Sequence, residues 1–215
     1  MASARVSESF ILRTYPLREA DLIVSYFTRD LGKRRGVAKR ARKPASRFGG
    51  GLERLSYVRM HYFHRENREL DTLDGCESVQ SGFSMTSDYD VSVALDFIAE
   101  TSEHLLPAAE PNERYFRLLL ALTGYLQNGG REALWPAVAY FTLWSVKLSG
   151  ILGPLPMTQQ EEELAGEILS TPLAKLSPRQ WTRQTASGLR RSLVGLIEEH
   201  VERRLITVQY LETLD

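Results

Sequence analysis

The spacing of hydrophobic residues along the chain changes near residue 80. Between Ser7 and Val79 they occur in short runs or at alternate positions, which is typical of β-strands. From Ser87 onward they recur every three or four residues, which is typical of helices that bury one face. The sequence therefore predicts an α+β protein in two parts, with a sheet domain over residues 1–80 and an all-helical domain over residues 81–215.

Five runs in the first part have strand character. They cover residues 10–12, 22–28, 35–39, 55–63 and 69–79. In the fourth run the apolar side chains alternate with Tyr57 and Arg59, so we expect an aromatic ring and a cation on one exposed face. Five short strands with one long charged connection fit a small β-barrel of the OB-fold type, whose sheet face and loops bind oligonucleotides.

Capping and stop signals divide the second part into six helices. Their starts are expected near residues 88, 112, 131, 158, 177 and 189. Thr158 and Glu161 have the spacing of a capping box, which satisfies two backbone N–H groups at a helix start. Ser177, followed by Pro178, predicts the start of the fifth helix by the same logic.

A basic segment lies between Lys33 and Arg47. It contains eight Lys or Arg residues and no acid, although the formal net charge of the whole chain is zero. Gly36 and Pro44 interrupt the segment, so we predict a strand end followed by a loop. Such a loop suits a nucleic-acid backbone. A solvated turn, or a patch for a membrane or an acidic protein, explains the charge equally well.

The charge is distributed unevenly between the two parts. Residues 1–80 contain sixteen Lys or Arg against ten Asp or Glu, whereas the rest of the chain contains eleven against seventeen. The first part is therefore biased towards polyanionic partners and the second part against them.

Several kinds of chemistry find no support in the sequence. There is neither a G-x-x-x-x-G-K-[ST] motif nor a G-x-S-x-G motif. Cys76 is the only cysteine, and His61 and His64 are expected on opposite faces of a strand. We therefore expect no enzymatic activity, no metal and no cofactor. We also expect a cytoplasmic protein without membrane contact, since no apolar run could cross a bilayer and no signal-peptide core is present.

Seven segments in order resemble the RecO recombination-mediator family of bacteria. Two of them are G-V-A-K-R-A-R-K at 36–43 and S-R-F-G-G-G-L-E-R-L-S-Y-V at 46–58. The others lie at residues 8–33, 69–73, 112–122, 143–156 and 189–204. The resemblance therefore extends over nearly the whole chain.

This resemblance implies an OB-fold followed by a helical domain. It also implies a nucleoid-associated protein that binds single- and double-stranded DNA, anneals complementary strands and consumes no nucleotide. The implied protein partners are the acidic-hydrophobic tail of the single-stranded-DNA-binding protein and RecR, with which the protein would help to load RecA.

The chain departs from the family pattern in two places. Many relatives carry a four-cysteine zinc module after the segment that here ends at Pro156, but Met157 follows directly and no ligand cysteine exists. In addition, Arg40 occupies a position where the family usually has glycine. If the backbone needs a positive φ there, Arg40 is expected to be strained.

Two sets of residues are the candidate binding sites. The expected DNA contacts are Lys33, Arg34, Arg35, Lys39, Arg40, Arg42, Lys43 and Arg47 along the phosphates, with Tyr57 and Arg59 on the sheet face. The expected partner site combines an apolar slot with cations for a terminal carboxylate and consists of Arg114, Phe116, Arg117, Trp144 and Lys147. Phe116 and Trp144 could instead be core residues. An RNA-binding or ribosome-associated OB-fold protein, and a scaffold for an acidic protein, are the alternative functions.

Overall fold

The computed structural model describes residues 3–65 and 67–214. The chain divides into two compact units. The first comprises Met1–Thr86 with Leu106–Phe116, and the second comprises Ser87–Leu105 with Arg117–Asp215. The predicted division between residues 80 and 81 took no account of the segment Leu106–Phe116, which is part of the first unit.

The described part of the first unit contains five strands. They are β1 (Ser3–Pro16), β2 (Leu22–Thr28), β3 (Gly32–Ala38), β4 (Tyr57–His64) and β5 (Asp71–Gln80). Hydrogen bonding in the order β1-β2-β3-β5-β4 closes them into a barrel. The β3–β5 pair is parallel, and the other pairs are antiparallel.

The five predicted strands are confirmed, and β2 has the predicted bounds. β1 is much longer than the predicted run at 10–12, because it pairs with β4 through its first half and with β2 through its second half. Its register shifts between Ile11 and Arg13, which interrupts the alternation that would have shown its length.

The barrel interior is filled by the alternate apolar side chains of the strands. Ile11, Val24, Tyr26, Met60 and Tyr62 are all buried in this core. The predicted alternation in β4 is therefore confirmed, since its apolar positions face inward while Arg59 is exposed.

A second apolar layer covers part of the outer barrel face. Phe10 and Phe27 are opposite one another on β1 and β2, and both rings contact Phe116, with centroid distances of 5.1 and 5.8 Å. Tyr115 packs edge-on against Phe27 at 6.1 Å. These contacts fix Leu106–Phe116 to the barrel.

Six α-helices lie in the described residues from 87 onward. They are α1 (Tyr89–Leu105), α2 (Glu113–Gly129), α3 (Leu134–Leu148), α4 (Gln159–Ser170), α5 (Ser187–His200) and α6 (Ile206–Leu211). In the second unit α3 packs against α1, α4 and α5, and α1 packs against α6. None of the described helices is both long and apolar enough to cross a lipid bilayer.

Three predicted helix starts are confirmed by their caps. Asp88 accepts hydrogen bonds from the backbone N–H groups of Asp90 and Val91. Asn112 accepts one from Tyr115, and the capping box of Thr158 and Glu161 is complete.

The predicted helix from Ser177 is wrong. Residues 177–186 contain no helix, and the next one begins at Ser187. The Glu167 carboxylate on α4 accepts a hydrogen bond from the Ser177 N–H at 2.5 Å and pairs with Arg179. These contacts hold the segment against α4 in a non-helical conformation. The partner of the Ser177 N–H is therefore a carboxylate on α4, ten residues earlier in the chain, and the local sequence around Ser177 did not indicate this contact.

The short helix α6 was not predicted. Its first N–H groups, on Ile206 and Thr207, donate to the buried Glu100 carboxylate on α1 at 3.0 and 2.8 Å. The Thr207 hydroxyl donates to the same carboxylate at 2.6 Å. A residue more than a hundred positions away therefore supplies the cap.

Candidate nucleic-acid interface

The basic loop, residues 39–43, is attached by hydrogen bonds to the turn between β1 and β2. The backbone N–H of Arg40 donates to Asp21 Oδ1 at 2.8 Å, and that of Arg42 donates to the Ala20 carbonyl at 3.1 Å. The Arg42 guanidinium donates to the Glu19 carbonyl at 3.3 Å. These bonds fix the loop backbone at the barrel end where Pro16, Leu22 and Ala38 are paired in register.

Arg40 has the positive φ that its position in the sequence suggested. Its φ is 54°, in the left-handed region that favours glycine. A side chain with a Cβ atom costs about 1 kcal/mol there. The hydrogen bond to Asp21 holds the backbone in this conformation, and in return the loop carries one more cation.

Four of the residues predicted to contact phosphates lie on the basic loop. Lys39, Arg40, Arg42 and Lys43 are exposed. Among the described residues, no carboxylate forms an ion pair with any of these four side chains. Their positive charge is directed at solvent, where it can attract an anion.

Arg35 belongs to a neighbouring group on the outer barrel face. Its Cζ atom lies 6.0 Å from the centroid of the Tyr15 ring, and Arg13 Cζ lies 5.2 Å from the same centroid. Arg13 and Arg35 are exposed, and Tyr15 is half-buried. We call these three residues the platform. Arg13 and Tyr15 were missed because β1 was predicted to end at residue 12, although their two-residue spacing up to Pro16 was a signal of a longer strand.

Arg34 points into the barrel and is bound there. Its guanidinium donates to both oxygens of the buried Asp71 carboxylate, at 2.7 and 2.8 Å. Tyr26 donates to Asp71 Oδ2 at 2.6 Å, and His64 Nδ1 lies 2.9 Å from Asp71 Oδ1. Only 12% of the Arg34 side chain is exposed. The predicted phosphate contact by Arg34 does not fit this position, because Arg34 neutralises a buried acid.

The pKa values in this cluster follow from burial and pairing. Burial alone would raise the pKa of Asp71, but the hydrogen bonds from Arg34, Tyr26 and His64 outweigh it and hold the pKa below its ordinary value. Burial, together with the negative charge of Asp71, raises the pKa of Tyr26. Asp71 is therefore ionised and Tyr26 neutral at physiological pH.

Three further predicted DNA contacts lie elsewhere on the barrel. Arg47 is exposed and pairs with Asp74 at 2.8 Å, and Arg59 lies 3.9 Å from Glu77. Such solvent-exposed pairs contribute about 1 kcal/mol or less and exchange readily. Lys33 is half-buried, and its carbonyl accepts a hydrogen bond from the Ala109 N–H. None of the three belongs to the group formed by the basic loop and the platform.

Tyr57 belongs to the second apolar layer on the outer barrel face and does not offer an open stacking surface. Its ring stacks on Phe10 at 5.3 Å and contacts the edge of Phe116 at 6.0 Å. Burial and a hydrogen bond to Glu8 raise the pKa of its hydroxyl. Phe116 itself is fully buried, so it offers no surface to a peptide.

The other predicted partner residues are divided between the two units. Arg114 is exposed in the first unit, and Arg117 is exposed in the second. Trp144 and Lys147, both on α3, do come together, with Lys147 Nζ 5.1 Å from the centroid of the Trp144 ring. Trp144 is half-buried, and its indole N–H donates to the Ile168 carbonyl at 3.1 Å. Tyr140 lies beside it, with a centroid distance of 6.1 Å.

The histidines and the cysteine of the barrel contact neighbouring protein groups and do not form a metal site in the described residues. In the part of the chain that the structure describes, no group of three or more His, Cys, Asp or Glu side chains is placed to hold a metal ion. His61 contacts Glu77, whereas His64 contacts Asp71. Burial raises the pKa of the Cys76 thiol to about 11, so the thiol is protonated at neutral pH.

The fold and the site together define a two-unit α+β protein with a basic surface at one end of a small barrel. The family described as recombination protein O, N-terminal, matches residues 1–82. The chain is 39% identical over 243 residues to DNA repair protein RecO from Koribacter versatilis. The matched region covers 97% of this chain and 98% of that protein. The chain therefore belongs to the RecO family of DNA repair proteins.

Other relatives match over a smaller share of their length. DNA repair protein RecO from Bifidobacterium animalis subsp. lactis is 37% identical over 145 residues, covering 66% of this chain and 59% of that protein. The protein of the same name from Pelotomaculum thermopropionicum is 28% identical over 162 residues, covering 75% of this chain and 60% of that protein. The Koribacter alignment is longer than this chain of 215 residues, so that relative has residues without a counterpart here.

Proposed function

We propose that this protein is a DNA-binding recombination mediator that holds DNA strands on an OB-fold barrel and anneals them. The observation that carries the proposal is the exposed basic loop, which is attached to the barrel end beside the platform. Arg13, Arg35, Lys39, Arg40, Arg42 and Lys43 provide a row of cations for successive phosphates. Membership of a family of DNA repair proteins supports DNA as the polyanion.

Annealing requires a strand to be held without its sequence being read. Phosphate contacts meet this requirement, because they fix the position of a strand and carry no sequence information. The proposed cations are guanidinium and ammonium groups on a loop and a sheet face, where they can follow a backbone while bases stay available for pairing. No nucleotide hydrolysis is needed, so we propose that the protein is not an enzyme.

The salt dependence of binding to single-stranded DNA tests this proposal. If about six phosphates are neutralised, log K should fall against log salt with a slope of about −4, at roughly 0.7 per phosphate. The double variant Lys39→Gln with Lys43→Gln should reduce the slope by about 1.4 and weaken binding at low salt. Fluorescence anisotropy with a labelled oligonucleotide measures both quantities.

Lys175→Gln is the matched control for this experiment. Lys175 is also exposed but lies in the second unit, so its neutralisation should leave the slope unchanged. A slope near zero for the unmodified protein would overturn the proposal, as would equal slopes for the loop variant and the unmodified protein.

We further propose that α3 binds the acidic-hydrophobic tail of the single-stranded-DNA-binding protein. Tyr140 and Trp144 provide an aromatic surface, and the exposed Lys147 beside them provides a cation for a terminal carboxylate. Recruitment of RecR, and through it assistance in loading RecA, is proposed from family membership. The chain lacks the cysteines of a zinc module, so these contacts must form without one.

A further inference from the structure

The platform differs from the rest of the outer face of strands β1 to β3. On the same face, farther from the end of the barrel that carries the basic loop, Phe10 and Phe27 are covered by Phe116 and are buried. Tyr15 has no aromatic ring packed against it among the residues that the structure describes. It is accompanied by two guanidinium groups, those of Arg13 and Arg35.

The strand register explains how these three side chains meet. Arg13 is opposite Ser25, and Ser25 is opposite Arg35, so the two cations flank a small residue on the central strand. Tyr15 follows two positions after Arg13 and faces the same side. The small Ser25 side chain leaves room above β2 for the larger groups on either side.

We propose that the platform is a stacking site for an unpaired nucleobase, which adds a contact that only single-stranded nucleic acid can make. The inference rests on the proposed function. An aromatic ring or a planar guanidinium group stacks on the face of any base, so this contact needs no particular sequence. The guanidinium groups of Arg13 and Arg35 lie over the Tyr15 ring, so they can share the stacking contact and also attract the phosphate of the same nucleotide.

The position of the platform allows one strand to reach both the platform and the basic loop. Tyr15 lies near the end of β1, directly before the turn whose residues Ala20 and Asp21 accept hydrogen bonds from the loop. A strand whose phosphates run along the loop therefore passes Tyr15. The faces of a paired base inside a duplex are covered by its neighbours, so a duplex cannot use this contact without unstacking.

The variant Tyr15→Ala tests the inference, with Tyr15→Phe as its control. Affinity is measured for oligothymidylate, for an abasic strand of the same length and for a hairpin duplex. We expect Tyr15→Ala to weaken binding of oligothymidylate about tenfold, while binding of the abasic strand and the duplex changes less than about twofold. Tyr15→Phe should bind all three as the unmodified protein does, because it keeps the stacking ring.

The outcomes separate this inference from the proposed function. Equal losses for all three probes would mean that Tyr15 only supports the guanidinium groups, which overturns the stacking site. No loss for any probe overturns it as well, while a reduced salt slope in the variant Lys39→Gln with Lys43→Gln would still support the proposed function. If the unmodified protein binds none of the probes, the proposed function fails. Circular dichroism of both Tyr15 variants verifies that they are folded.

Discussion

Asp71 shows how a single buried carboxylate changes the role of a basic residue. In the sequence Arg34 is one of a series of cations, and nothing distinguishes it from Arg35. In the structure the strand alternation directs Arg34 inward to Asp71 and Arg35 outward to Tyr15. Charge density alone could not predict this division, because it depends on a partner on another strand.

We expect Asp71→Asn to lower the free energy of unfolding by about 3 kcal/mol at neutral pH, since it leaves the largely buried Arg34 without its counter-charge. The folded-state pKa of Asp71 lies below its unfolded value. Its stabilisation is therefore present above the unfolded pKa of about 4 and is lost as the pH falls through the folded pKa. The difference between the two proteins should narrow in that acidic range, as measured by urea unfolding at several pH values.

Asp74→Asn provides the comparison at an exposed site on the same strand. Asp74 also pairs with an arginine, Arg47, but both side chains are exposed. Its substitution should cost less than about 1 kcal/mol. If the two variants lose equal stability, Asp71 does not have the structural role described above.

Among the elements, the segment Leu106–Phe116 depends on one glycine at the turn between β2 and β3. Gly32 has a φ of 73°, and a Cβ atom there would lie 2.2 Å from the Glu110 carbonyl oxygen. Only a residue without a side chain lets the two backbones approach so closely. The contact is completed by the hydrogen bond between the Ala109 N–H and the Lys33 carbonyl, at 2.8 Å.

Gly32→Ala should therefore lower the free energy of unfolding by about 3 kcal/mol, through the steric clash and the unfavourable φ together. Gly49→Ala is the matched control, because Gly49 also has a positive φ but has no atom within 4 Å of its Cβ position. It should cost about 1 kcal/mol. Chemical denaturation of both variants measures the difference, and equal costs would show that the close approach to Glu110 is not important.

The sequence predicted most elements whose signals are local. The buried alternation of β4 and the cap residues Asp88, Asn112 and Thr158 are contained in a few consecutive positions. The errors occur where a distant residue decides the outcome. Glu167 holds residues 177–186 out of a helix, and Glu100 supplies the start of α6. The basic loop was predicted from its local charge, whereas Arg13 and Tyr15 of the platform were missed because the register shift in β1 hid the length of that strand.

For the whole molecule, the proposed functions assign a different partner to each unit. The first unit carries the exposed basic loop, whereas the sequence from residue 81 onward has an excess of acidic residues. We have proposed DNA for the first surface and an acidic protein tail for α3 in the second. If the two surfaces have separate roles, variants in each should affect different steps of annealing.

We expect Lys147→Glu to slow the annealing of strands coated with single-stranded-DNA-binding protein, while bare strands anneal at the normal rate. The reversed charge would repel the terminal carboxylate of the tail. The variant Lys39→Gln with Lys43→Gln should slow annealing on both substrates. Fluorescence quenching of paired labels follows the rate, and titration of the isolated tail peptide verifies the loss of affinity.

The control for this experiment is Arg203→Glu, which reverses an exposed charge in the segment between α5 and α6. It should leave the annealing rates of both substrates unchanged. Slower annealing of bare strands by Lys147→Glu would contradict a separate role for α3. An unchanged rate on coated strands would remove Lys147 from the partner site.

For the proposed DNA binding, the hydrogen bonds from Arg40 and Arg42 to the β1–β2 turn have a kinetic consequence. Because the loop is already ordered, its conformational entropy is lost during folding, and an arriving strand does not have to organise it. Encounter is then controlled by long-range electrostatic attraction, without a slow rearrangement step. A protein that must meet short-lived stretches of exposed DNA gains speed from such a preorganised loop.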